Sequence, residues 1–169
     1  MIKVATELHV DGGLLVGHDG SRAATEAVQY AARLGRRLGC KLHVLRTWTI
    51  STAPRPASAE PGYVPPLDHF EAATLERLRA DVAAMDLPED CEVECHVLHG
   101  SASRRLLEAS AGADMLVVGS RGAGGFRGLL FGSTADQVVR NSKRPVVVVP
   151  VDALDESHEL DGSVTHHTS

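Results

Sequence analysis

Met115 to Ser133 reads MLVVGSRGAGGFRGLLFGS, and few folds accommodate such a stretch. Met115–Val118 is an apolar run of a length that suits a buried strand. Gly119, Gly122, Gly124, Gly125, Gly128 and Gly132 follow, and Ser133 is a residue type that caps a helix. A strand feeding a glycine-rich loop and then a helix start is an anion site in outline. Glycines let backbone approach a ligand closely, and the first N–H groups of a helix, with its dipole, favour negative charge. Arg121 and Arg127 sit in this loop although the chain carries a formal net charge of −5. Together these residues point to a phosphate-bearing ligand. The competing reading is a surface loop with solvated charges.

Two common phosphate loops are excluded. Gly-Lys-Ser/Thr does not occur, so there is no P-loop. Counted from Gly122 and Gly124, the third glycine of a dinucleotide fingerprint falls on Arg127.

The rest of the chain alternates strand and helix signals. Residues 1–13 are an N-terminal extension of mixed polarity ending in the turn Asp11-Gly12-Gly13. Leu14–Val16 is a short apolar strand followed by Gly17, His18, Asp19, Gly20 and Ser21, where Asp19 or Ser21 suits an N-cap. Ala24, Ala27, Val28, Ala31, Ala32, Leu34 and Leu38 recur at helical spacing, arginines cluster near the end, and Gly39 stops the helix. Leu42–Trp48 is a second strand. Thr49–Pro66 holds five of the prolines and is expected to be irregular, as a passive linker or a flap beside the site. A helix is expected over Asp68–Met85, an alternating half-exposed strand over Cys91–Leu98, and a third helix from Ser101 through Leu106, Leu107 and Ala109. Thr134–Asn141 falls in a fourth helix and Pro145–Val149 in a fifth strand. The tail, 151–169, is acidic and polar without apolar period, so it is expected to be disordered.

Such alternation predicts an α/β fold, an open parallel sheet with helices on both faces and right-handed crossovers. A length of 169 residues suits one domain. With three Phe, two Tyr and one Trp, its core must be aliphatic. The acidic balance, without an aromatic-interleaved basic patch, argues against nucleic acid as a partner. No apolar run approaches the roughly 20 residues that span a membrane. Three cysteines, an odd number, and no signal peptide suggest a reducing cytoplasm.

The spacing Gly119-x2-Gly122-x9-Gly132-Ser133 resembles the G-x2-G-x9-G-[ST] motif of the universal stress protein family, in its ATP-binding branch. Val16 to Ser21 resembles that family's first strand and turn, Ala113 to Gly119 its fourth strand, and Lys143 to Pro150 its closing strand. The likeness runs over 14–150. It implies a doubly wound five-stranded sheet of order 3-2-1-4-5. Winding then reverses between strands 1 and 4, and ligands of open α/β sheets bind at the carboxyl ends of strands beside such a reversal. Asp19 and Gly119, distant in sequence, both fall there.

The resemblance also implies roles. Gly119 and Gly122 would admit ribose and phosphate close to the backbone. Gly132, Ser133 and Thr134 would cradle phosphates at the helix start. Asp19 would meet the ribose hydroxyls or a nucleotide-bound Mg or Mn ion, its alternative being an Asx-turn. Backbone at Gly17 and Thr47 would flank the base, with Val118 as an apolar contact. Arg121 and Arg127 are added here as phosphate partners. His18 stands where the family usually has a small or apolar residue. Val146–Val149 would pair with its copy in a homodimer, covering an apolar edge.

The function expected is an ATP-binding regulatory module of a stress response, with slow or no hydrolysis. A weak ATPase or phosphotransferase is the alternative, disfavoured because the loop has no lysine and no general base is evident. A chaperone-like dimer with a vestigial site is the other. Cys91, Cys95, His96 and His99 suggest metal ligands at first sight. On a strand, however, Cys91 and Cys95 lie about 13 Å apart and His96 faces the other side.

Overall fold

An apolar strand without a polar face satisfies its backbone only between two other strands. Leu14–Gly17 (β1) does so: Leu14, Leu15 and Val16 are at most 1% exposed, and β1 pairs in parallel with Leu42–Trp48 (β2) on one side and Met115–Gly119 (β4) on the other. Val93–His99 (β3) adds outside β2 and Val146–Val149 (β5) outside β4, giving one parallel sheet of order β3-β2-β1-β4-β5. The computed structural model describes residues 3–122 and 131–150.

Parallel pairing forces a crossover between successive strands, and the crossovers are helical: Arg22–Leu38 (α1), Leu67–Ala83 (α2), Ala102–Ala109 (α3) and Ser133–Asn141 (α4). Side chains alternate across the sheet. Leu14, Val16, Leu42, Val44 and Val117 pack with the alanine face of α1 and with Phe70 and Leu78 of α2. Leu15, Leu45, Leu98, Leu116 and Val118 pack with Leu106 and Ala109 of α3 and Ala135 and Val138 of α4. Trp48 closes the first layer, stacked at 6.5 Å on Phe70 and edge-on at 4.8 Å to His99.

Local chemistry sets most boundaries. Ser21 Oγ accepts from the Ala24 N–H and caps α1, and Gly39, at φ 67°, ends it. Boundaries that differ from expectation include the end of α2, at Ala83 rather than Met85. The N-cap of α4 is Gly132, not Ser133, which is already helical, so this end has no capping side chain. β3 starts at Val93 rather than Cys91, because the Cys91 N–H turns back to the Pro88 carbonyl, and it extends to His99.

The stretch ahead of β1 is part of the packing. Val4 and Val10 are buried, the Ala5 carbonyl accepts from the His99 N–H at 2.8 Å, and the Gly12 N–H donates to Gly112. Residues 49–66 form turns without helix or strand, and Ala53 packs on the core. Gly124, Gly125, Arg127, Gly128 and the tail 151–169 lie outside the described residues.

Leu116 is fully buried in a central strand. Leu116→Ala is expected to cost about 2–5 kcal/mol of stability, read from the denaturant midpoint at unchanged slope.

Candidate functional site

Crossovers run to opposite faces on either side of the boundary between β1 and β4, and the helices part above the carboxyl ends of these strands. An open cleft lies there, bounded by residues from both sides of the reversal. Gly17, His18 and Asp19 line it after β1, Leu45 and Thr47 from β2, and Val118, Gly119, Arg121 and Gly122 from β4 onward. Gly132, Ser133, Thr134 and Ala135 at the start of α4, Ala24 of α1, and Ala102 and Leu106 of α3 complete it. Ten of the residues singled out in the sequence thus surround one cleft: Gly17, Asp19, Thr47, Val118, Gly119, Arg121, Gly122, Gly132, Ser133 and Thr134. Arg127 lies outside the described residues. Residues 49–66 contribute nothing to the described lining, so a flap beside the cleft finds no support.

The glycines here serve different ends. A Cβ on Gly17 would lie 3.0 Å from Leu106 Cδ1, so this glycine admits the α3 wall. One on Gly119 would lie 3.1 Å from the Ala23 carbonyl oxygen, which holds the end of β4 against α1. One on Gly122 would fall 2.8 Å from Asp19 Oδ2, so the loop passes directly over that carboxylate. At Gly132 the nearest atoms are Arg121 Cα and Gly122 N, each at 3.4 Å. The two sides of the loop are joined at its base, where the Gly132 N–H donates to the Ser120 carbonyl at 2.7 Å.

Gly132 supplies no capping side chain, and the first residues of α4, Ser133 and Thr134, line the cleft. Asp19 Oδ1 accepts from the Ser21 N–H at 2.9 Å, the Asx-turn weighed for it, and the residue lines the cleft as well.

His18 is buried, with Nε2 3.2 Å from Thr25 Oγ1 and Nδ1 without a hydrogen-bond partner among the described residues. Burial, reinforced by the Arg46 guanidinium, pushes its pKa below the ordinary imidazole value. Arg46 itself pairs with Asp81 at 3.2 Å beneath Gly20. The α3 wall, Ala102 and Leu106, was missed in the sequence, where Leu106 reads only as a core position; Gly17 was its single trace.

A histidine kept neutral when folded binds protons more readily when unfolded. Its contribution is complete above about pH 6.5 and is lost as pH falls through that value. Burial acts in the same direction on His43 and His96. Stability is therefore expected to decline from about pH 7.5 to about pH 5.5. In denaturant titrations His18→Gln should show a shallower decline, and an unchanged slope would remove His18 from this account.

The family model described as the universal stress protein family matches residues 13–150. A universal stress protein of Mycolicibacterium smegmatis is 31% identical over 141 residues, covering 80% of this chain and 45% of its own length. One from Mycobacterium tuberculosis is 31% identical over 142 residues, with 80% and 44% covered. The chain thus spans less than half the length of these curated relatives. Among solved structures, a universal stress protein in complex with cAMP superposes with a TM-score of 0.57 at 24% identity, over 84% of this chain and 98% of that one. UspA from Lactobacillus plantarum gives 0.58 at 21% identity, over 85% and 99%. The family model covers most of the chain and the sheet is that of these structures, so the chain belongs to the universal stress protein family.

Proposed function

We propose that the chain binds an adenine nucleotide between β1 and β4, as ATP with Mg or Mn, and acts as a stress-response module through occupancy rather than rapid turnover. One observation carries the reading: the amino end of α4, which has no side-chain cap among the described residues, opens onto a cleft whose described lining holds a single carboxylate. Backbone N–H groups at Ser133 and Thr134, with the Ser133 hydroxyl, would hold phosphate oxygens beside Gly132. Arg121, and Arg127 on the same loop, would add charge. Asp19 is the one acidic residue of the described lining, which suits ribose hydroxyls or a phosphate-bound Mg ion, since that ion commonly takes one or two carboxylates beside phosphates. Backbone at Gly17 and Thr47 would flank the base and Val118 would pack on it. The cAMP held by a structural relative supports adenine as that base.

Chemistry beyond binding has little to work with. The described lining holds no lysine, and its histidine is buried and joined to Thr25. Slow hydrolysis or none follows. Three free thiols suit a reducing compartment, so the proposal is set in the cytoplasm.

The proposal extends to a homodimer through β5. The Leu116 N–H donates to Pro145 and the Ser120 N–H to Val149, so odd-numbered residues of this strand face β4. Val146 and Val148 therefore turn their backbone groups to the open edge, ready for a second copy.

Calorimetric titration with Mg-ATP should give micromolar affinity. Gly132→Val, which wedges a branched side chain between α4 and the Arg121–Gly122 backbone, should weaken it by roughly tenfold or more. Absence of binding, in protein shown by acid extraction to carry no nucleotide, would defeat the reading. For the dimer, sedimentation at micromolar concentration should return twice the monomer mass. Val148→Pro removes an outward N–H without touching the β4 ladder and should give a folded monomer.

A further inference from the structure

At the opposite end of the sheet from the cleft, three metal-ligand side chains converge. His43 on β2 is paired in register with Glu94 on β3, and His96 follows two residues later on the same face. His43 Nδ1 lies 3.0 Å from His96 Nε2 and 3.3 Å from Glu94 Oε2, and the last two atoms are 3.7 Å apart. A hydrogen bond between the two imidazoles accounts for the first distance alone. It does not require the carboxylate oxygen to stand within reach of both nitrogens.

A triangle with these three sides has a circumradius of about 2.0 Å, the length of a zinc bond to imidazole nitrogen or carboxylate oxygen. A tetrahedral site with such bonds has donor separations of about 3.3 Å, close to the mean of the three observed. One point therefore lies at bonding distance from all three atoms without movement of the backbone. The cluster sits at the solvent boundary, the Glu94 side chain 51% exposed and that of His43 7%.

We propose that His43, Glu94 and His96 form a binding site for a divalent transition metal, Zn²⁺ in the first instance, that clips the edge strand β3 to β2. Both imidazoles are suited to ligation. Each presents a ring nitrogen to the shared point, and the β2–β3 ladder holds them there. Lys41 Nζ now lies 3.5 Å from Glu94 Oε2 and 3.0 Å from Glu92 Oε1. On metal binding it would keep Glu92 as its partner. Two imidazoles and one carboxylate suit zinc and its transition-metal neighbours and not Mg²⁺, which prefers an all-oxygen shell. This site is therefore separate in both place and chemistry from a nucleotide-bound Mg ion.

The test uses the full chain, prepared without an affinity tag and stripped with chelator. Titration with Zn²⁺ should show one equivalent bound at micromolar affinity or tighter. Saturating Zn²⁺ should raise the thermal midpoint by about 5 °C or more, and Mg²⁺ should not. Glu94→Gln, at a half-exposed side chain whose loss leaves the core intact, should weaken Zn²⁺ binding roughly tenfold or more. His96→Ala should do the same, with circular dichroism confirming its fold. The double variant His166→Ala/His167→Ala should bind as the parent does. Absence of Zn²⁺ binding would overturn the proposal. So would binding that survives Glu94→Gln and disappears with the tail histidines.

Discussion

The structure depends on the pairing of β1. This strand is short, apolar on both faces and buried throughout, so its backbone groups have no recourse to water. They are satisfied by β2, which follows after one helix, and by β4, which arrives about a hundred residues later in the chain. Parallel partners on both sides require helices on both faces. They also require the chain to leave β1 toward one edge and return to build the other. The reversal, and the opening above it, follow from that pairing and from no residue of the cleft itself.

Much of this was legible because local signals and global topology agree. Ser21 and Gly39 bracket α1 as their chemistry dictates, and the aliphatic runs of β1, β4 and β5 leave little choice but a parallel sheet. The loop glycines and Ser133 stood out by their spacing, whereas Gly17, Thr47 and Val118 were placed at the cleft only by what the resemblance to a known family implies. What escaped notice was information carried only by tertiary neighbours. Leu106 reads as one more apolar position of a helix, yet its methyl groups lie directly against the space a side chain at Gly17 would take. Ser133 is an apt cap by type, but a helix start is set by backbone geometry, and here that start falls one residue earlier. Val4 and Val10 carry no periodicity, so their burial was not visible. His43 and Glu94 stand fifty-one positions apart in the sequence, and only the β2–β3 register makes them neighbours.

The two ends of the sheet offer different chemistry for one physical reason. At the carboxyl ends, strands hand over to loops and helix starts, so the available groups are backbone donors suited to oxyanions. At the amino ends, neighbouring strands already run side by side, and what they present is side chains at fixed lateral spacing. Imidazoles and a carboxylate set there are held by the ladder itself, while the groups around the cleft depend on loops.

The two edges of the sheet are unlike. Beyond β3 the chain has laid its own leading segment, with Ala5 accepting from His99, and β3 carries charge at Glu94. At the other border stands β5, where the outward backbone groups of Val146 and Val148 are unmatched by any described strand. A sheet with one blunted border and one receptive border has a single direction in which to grow. Association through that border uses the same strand from both copies and leaves nothing further to offer. The proposed dimer would therefore terminate at two chains, whereas a sheet receptive at both borders would propagate into a fibre.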